Sequence, residues 1–454
     1  MMKSYVKDMT EGNPTELLLT FMLPMVVGNI FQQLYNMVDS MIVGKYVGAD
    51  ALAAVGATGS LNFLIFSLCG GMANGVGIII SQYFGAGNDS GVKKAIANAV
   101  YIMTASALLM GVIGLLLSRN LLAFLNTPEN ILDDSTLYMR IMCAGILAVG
   151  LYNCIAAILR AVGDSKTPLY FLIVASILNI VLDLFFVKTL DMGVAGAGIA
   201  TIISQLLAGI GSLAFAFIKN PYFKIGREQM RAERTIIGQC VRMGIPLAFQ
   251  SSLIAISCVA LQSVVNTFGS VVVAAFTATS RIEQLVQQPY NSLGMAVSTY
   301  TGQNIGAGKI DRVRKGFHKG MIIMAIFTFT MIPLAQFGGE FIMKLFVNEQ
   351  DVIALGSQAL KITSWFYLFL GSIYVARGML NGAGDATFAF MNGIVEMAGR
   401  ICFAKPLTMI PAIGVWGVWL ATAFTWFVAG VISVGRYLQG KWKMPKNAAV
   451  LKKQ

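Results

Sequence analysis

Two aspartates stand inside long apolar runs, each in line with amide and hydroxyl side chains. Gln32, Tyr35 and Asn36 precede Asp39 by 7, 4 and 3 residues, which places all four on one stripe of a helix. Ser176 and Asn179 precede Asp183 by 7 and 4 residues, giving a second such stripe. Thr201, Ser204 and Gln205 share a face of a third run. Ionisable groups inside a membrane span cost several kcal/mol unless they are paired or hydrated, so they mark function first. Clustered oxygens suit a hard cation such as Na⁺, and two carboxylates close together in a low dielectric favour holding a proton between them. The expected chemistry is therefore reversible binding of H⁺ or Na⁺ by Asp39, Asn179, Asp183 and Thr201. Ser176, Ser204 and Gln205 have a plainer use as hydrogen-bonding groups between helices.

The elements that must position these residues are membrane helices. Of the 454 residues, 56% are hydrophobic and only 12% charged, and the mean hydropathy is +0.72. A soluble chain carries about 25% charge. Runs such as Ile141 to Leu151 and Ile199 to Leu207 do not alternate apolar with polar residues, which excludes a β-barrel. The expected fold class is an all-α polytopic membrane protein with twelve spans. They run at about 17–43, 51–80, 95–118, 137–160, 168–187, 193–218, 242–266, 272–300, 317–337, 358–381, 388–410 and 415–437. With both termini cytoplasmic, inner segments carry about three times the Lys and Arg of outer ones. That bias accounts for the net charge of +12 and leaves no case for a nucleic-acid partner. The six cysteines make no metal-binding spacing and read as free thiols, most of them buried. The single histidine, His318, sits in a basic loop, and the N-terminus lacks the features of a removable signal peptide. No catalytic constellation or cofactor motif is present, so an enzyme is not expected.

The halves repeat at a constant offset of 221 residues: Gly85-Ala86-Gly87 recurs as Gly306-Ala307-Gly308, Gly163-Asp164 as Gly384-Asp385, and Ala200-Thr201 as Ala421-Thr422. Six spans per half imply two lobes related by a pseudo-twofold along the membrane normal. The expected division is a lobe at 1–218, a cytoplasmic linker at 219–241, a second lobe at 242–440 and a basic tail at 441–454. The repeat also isolates the oxygen cluster. At the same offset Asn179 becomes Arg400 and Asp183 becomes Ala404, so the cluster exists in one half only. The second half instead has Glu396 and Arg400, four apart, most simply an ion pair with each other. Pro24 in the first span, mirrored by Pro246, frees a backbone carbonyl and is a candidate hinge. The eighth span, with Arg281, Glu283, Gln284, Gln287 and Gln288, is too polar to face lipid all round.

These residues resemble the multidrug and toxic compound extrusion (MATE) family over essentially the whole chain. The resemblance rests on the span plan, the first-span proline, Asp39 within Tyr-Asn-Met-Val-Asp, Arg160-Ala-Val-Gly-Asp164, and Asn179 and Asp183 followed by Thr201. It is closest to the DinF-like branch, where the matching positions form a cation site in the N-terminal lobe, completed by a backbone carbonyl near Ala197. The NorM-like branch has acidic residues in spans 7 and 10, and this chain has none there. The resemblance implies a secondary active exporter of amphiphilic, chiefly cationic organic compounds, driven by H⁺ or Na⁺ and without other cofactors. Gln32, Tyr35, Asn36, Asn153, Gln250 and Gln284 are the expected substrate-cavity residues. The expected setting is the plasma membrane, with a monomer in the bilayer and small organic molecules as partners. A flippase for a lipid-linked precursor is the alternative; it would want a strongly basic cavity, and Arg281 and Arg400 are offset by Glu283 and Glu396. A channel would want a selectivity ring, which the sequence does not offer.

Overall fold

The structure, a computed structural model, describes residues 6–125 and 127–443, except the side chain of Ala386. Lys3 and, in the expected basic tail, Lys446, Lys452 and Lys453 lie outside the described residues. Fourteen α-helices are present among the described residues, and no strand. The first half holds α1 (Pro14–Tyr46), α2 (Ala49–Gly85), α3 (Asp89–Phe124), α4 (Glu129–Ala144), α5 (Ile146–Ala161), α6 (Lys166–Asp183) and α7 (Gly193–Lys219). The second holds α8 (Arg234–Val265), α9 (Ser270–Gly306), α10 (Ile310–Lys344), α11 (Gln350–Ser364), α12 (Tyr367–Gly382), α13 (Ala386–Met409) and α14 (Gly417–Leu438).

Eight of these helices are long and apolar enough to cross a membrane. The pairs α4 with α5 and α11 with α12 each make one further span, bent by 48° and 55°. The remaining two, α9 and α13, have the length, 37 and 24 residues, but interrupt their apolar runs with Arg281 and Glu283, or with Glu396 and Arg400. Counted together these are the twelve spans read from the sequence. Several helices outrun them: α8 starts at Arg234, because a helix needs apolar residues only where it meets lipid.

The repeat is visible element by element. α2 and α9 are both 37 residues long, and each is followed by a glycine with left-handed backbone, Gly87 (φ 68°) and Gly308 (φ 72°). Asn88 then caps α3 by accepting from the Gly91 N–H at 2.8 Å. The bend between α4 and α5 falls at the same repeat position as that between α11 and α12.

Packing divides the chain into two compact units. Of the described residues, one holds 6–9 and Leu23–Ala248, and the other holds Thr10–Met22 and 249–443. The chain therefore passes from one unit to the other inside α1, beside Pro24, and again inside α8, two residues beyond Pro246. The start of α8 belongs to the first unit because it lies against α2, where Gly75 meets the backbone of Gly244 with no room for a side chain. The segment before α8 is tied to α3 of the same unit. Asn98 takes the Glu233 N–H (2.9 Å) and gives to the Arg231 carbonyl (3.3 Å), and Lys94 pairs with Glu233 at 3.1 Å. At the other end of the first unit's chain, the Lys7 N–H donates to the Val162 carbonyl at 3.2 Å, and Met9 is fully buried. Gly163 (φ 91°) lies under this segment; a methyl there would overlap the Lys7 carbonyl.

Candidate cation site

In the first unit, α1, α6 and α7 bring the sequence-expected oxygens together. Asp183 is the last residue of α6 and is fully buried; a wide π-helical turn, Leu184–Thr189, follows it. Such turns disrupt regular helix hydrogen bonding and recur at functional positions. Asp39, half-buried on α1, faces it closely enough for the two carboxyls to share a proton. No donor among the described residues reaches Asp39 Oδ1 or either carboxyl oxygen of Asp183. Asn179, one turn earlier on α6 and 2% exposed, gives its amide N–H to Thr201 Oγ1 at 3.4 Å. Thr201 in turn donates to the Ala197 carbonyl at 3.1 Å, and Asn179 Oδ1 has no partner. Buried polar atoms are almost always satisfied. Four acceptor atoms left without donors in one place form a site for something positive.

Around this pair the walls are apolar: Ile42, Val43, Ala51, Met142, Val187, Val194 and Ala197 pack as one cluster. Tyr138 of α4 belongs to the same cluster and feels both aspartates, a residue the sequence reading missed. Tyr35, one turn before Asp39, has Gln32 and Gln205 within hydrogen-bonding reach of its hydroxyl. Ser176 and Ser204 donate to carbonyls of their own helices, Leu172 (2.8 Å) and Ala200 (2.5 Å), and so serve α6 and α7 locally. Asn153 likewise donates to Val149 at 3.0 Å, and Asn36 is exposed.

The second unit corrects one expectation. Glu396 does not pair with Arg400. Its partner is Arg377 of α12, which also donates to Asn392 Oδ1 at 2.6 Å. Arg400 points instead to Ser257 Oγ (2.6 Å) and Cys258 Sγ (3.6 Å) on α8. The four-residue spacing permits a pair along α13, but a neighbouring helix brings a better-placed guanidinium. Arg377 also adds a third basic residue to those counted inside the spans. Gln250 is buried and donates to Asn392 at 3.2 Å, while Gln284 on α9 is exposed. The cysteines are free, as expected: Cys69, Cys143, Cys154 and Cys240 buried, Cys258 and Cys402 exposed.

An all-α protein of twelve spans, with unpartnered carboxylates buried inside a bundle, is a membrane transporter by architecture, not an enzyme. The MatE family profile matches residues 24–185 and 246–404, more than half of the chain, and the chain belongs to that family. It is 32% identical over 449 residues to the probable multidrug resistance protein YpnP of Bacillus subtilis (strain 168), covering 98% of this chain and 99% of that one. It is 23% identical over 407 residues to the multidrug export protein MepA of Staphylococcus aureus (strain MSSA476), covering 88% of each. Among solved structures, a crystal structure of MATE in the bent conformation matches with a TM-score of 0.89 at 23% identity, covering 97% of this chain and 98% of that one. An outward-facing multidrug resistance MATE family transporter matches at 0.87 and 24% identity, covering 98% of each.

Proposed function

We propose that this transporter exports amphiphilic organic cations in exchange for H⁺ or Na⁺ by alternating access, with Asp39, Asn179, Asp183 and Thr201 as the coupling site. The observation that carries this reading is the facing pair Asp39 and Asp183, whose buried oxygens lack donors, in one repeat unit only. A structural hydrogen-bond network would be satisfied internally; this one asks for a cation. The Ala197 carbonyl, already turned toward Thr201, is the fifth oxygen of the set.

Coupling follows from charge. An entering cation or proton neutralises the pair, and the face of α1 carrying Gln32, Tyr35 and Asn36 becomes less attractive to a cationic substrate. The substrate leaves, and loss of the coupling ion on the other side restores the charge. Pro24 is the hinge in this scheme, because α1 crosses from one unit to the other beside it. Asn153, Gln250 and Gln284 complete the proposed substrate contacts. The excess of Lys and Arg on one set of loops supports a plasma-membrane protein with both termini cytoplasmic. Each unit charge moving through about 100 mV supplies about 2.3 kcal/mol. The named relatives are called multidrug resistance and multidrug export proteins, which supports export of drug-like compounds.

The test is transport of a fluorescent organic cation by proteoliposomes under imposed pH and Na⁺ gradients. Coupled movement in the parent and its loss in Asp39→Asn support the reading. Uphill transport by Asp39→Asn at the parent's rate overturns it.

A further inference from the structure

The polar segment between α7 and α8, residues 220–233, belongs to the first unit and lies along α3. Its start is fixed at the beginning of α3: Phe223 is 1% exposed, and the Tyr222 hydroxyl donates to Asp89 Oδ1 at 3.0 Å. Its end is held by Lys94, Asn98 and Tyr101, spaced 4 and 3 apart on one stripe of α3. Lys94 pairs with Glu233, Asn98 takes the Glu233 N–H and gives to the Arg231 carbonyl, and the Tyr101 hydroxyl donates to the Met230 carbonyl at 2.7 Å. The segment thus follows the stripe from Tyr101 at Met230 back to Lys94 at Glu233, and Met230 is the point set farthest along the helix.

That point lies beside apolar helix. Lys94 is the last charged residue of α3 before Arg119, so the apolar run starts at Ala95. Tyr101 stands seven residues beyond Lys94, about 10 Å along the axis. Its side chain leans back toward the helix start, which sets the Met230 carbonyl against the first two turns of the run. Val100 and Tyr101 are on the exposed face of α3, and Met230 itself is 55% exposed. Basic residues flank this apolar tip. Lys224, Arg227, Arg231 and Arg234 are all exposed, and none makes an ion pair among the described residues. Two tight turns, from the Gln229 N–H to the Gly226 carbonyl (3.1 Å) and from the Arg231 N–H to the Glu228 carbonyl (3.4 Å), keep Arg227 and Arg231 close to Met230. Glu233 is taken by Lys94, which leaves Glu228 as the one carboxylate among four cations. The topological bias toward positive loops is met by Lys or Arg anywhere in a loop. It does not ask for arginines on either side of an exposed methionine that α3 holds at the edge of its apolar run. Arginine stems at that level lie along apolar surface with the guanidinium among headgroups, where it binds phosphate in bidentate fashion.

We propose that residues 224–234 form an interfacial site for anionic phospholipids. Met230 enters the edge of the acyl layer beside α3, and Arg227, Arg231 and Arg234 bind the phosphates and acidic headgroups of the lipids around it. The occupant is a lipid because the apolar and basic parts of the surface adjoin, and an amphiphile satisfies both. The site is separate from the Asp39 and Asp183 pair and does not depend on its role.

Full-length protein in mixed liposomes tests this. Met230→Trp adds a reporter, read against the parent's own tryptophans, and brominated phospholipids quench a tryptophan they touch. Brominated phosphatidylglycerol is expected to quench the added fluorescence several-fold more than brominated phosphatidylcholine, and the preference should weaken as salt is raised. Adding Arg227→Gln, Arg231→Gln and Arg234→Gln should abolish the preference, since each basic group near a membrane surface changes lipid association by about fivefold. These three side chains make no hydrogen bond or ion pair among the described residues, so the variant is expected to melt with the parent in detergent. Quenching by neither lipid overturns the proposal, as does equal quenching by both. So does a preference that survives the three substitutions. A preference removed by glycerol 3-phosphate at an ionic strength where chloride leaves it intact also overturns it, because that marks a site for soluble phosphate.

Discussion

Asp39→Asn is expected to make the protein more stable while it abolishes coupled export. In the parent, Asp39 Oδ1 and both Asp183 oxygens are buried without donors, and the two carboxyls face each other. An asparagine of the same shape removes one charge and brings an amide N–H to Asp183. A hydrogen bond to a charged group contributes roughly 1.5–3 kcal/mol. With both carboxyls ionised and no coupling ion bound, the gain is therefore about 1.5–3 kcal/mol. At roughly 2.1 cal/mol/K per residue, unfolding this chain has an entropy near 1 kcal/mol/K, so the melting temperature should rise by about 1.5–3 °C. The assay is thermal unfolding in detergent without Na⁺, run beside proteoliposome transport on the same preparations. Stabilisation by added Na⁺, where Na⁺ is the coupling ion, should be present in the parent and lost in the variant, since a ligand stabilises only the state it binds. A variant that melts lower than the parent yet still exports uphill would refute the electrostatic reasoning as well as the assignment.

Arg377→Met should cost about 3–5 kcal/mol, because it strands buried Glu396, and Arg377→Met combined with Glu396→Met should recover most of that in the same melting assay. Thr201→Val removes the hydroxyl between Asn179 and Ala197; coupled export in proteoliposomes should fall by about tenfold, and stability should fall by about 1–3 kcal/mol because the buried Asn179 amide loses its acceptor. Gly163→Ala should destabilise by about 1–3 kcal/mol and speed proteolysis before Thr10, since φ at 91° disfavours a side chain and the methyl overlaps the Lys7 carbonyl.

The spans were legible because membrane burial writes itself into composition: a run of about 20 apolar residues has few other uses. The gathering of Asp39, Asn179, Asp183 and Thr201 was legible because each stripe is a local pattern and only three helices had to meet. Partner choice between helices was not. Nothing along the chain says that α12 turns Arg377 toward α13, and in sequence the nearest opposite charge to Glu396 is Arg400. Arg377 itself is a sequence signal, a charge inside an apolar run. The exposed start of α8 was hidden for a different reason. Arg234 and Arg242 look like loop by polarity, yet tertiary contact with α2 holds them in helix.

The assignment of the two ends of α1 and α8 to different units has a consequence for how the molecule can be divided. The second unit is built around Thr10–Met22, in which Leu18 and Phe21 are buried and Thr10 and Gly12 accept from Lys309 and Arg312. The first unit is built around the start of α8, in which Gly244 meets α2 and Gln239 accepts from the Tyr83 hydroxyl at 3.0 Å. Each half of the gene thus supplies a piece that the other half's bundle needs, as in a reciprocal exchange of segments between domains. A chain cut between Ile225 and Gln229 leaves both exchanged segments on the wrong fragment for independent folding. Neither fragment alone has a complete core, and the two should be recovered only when made together.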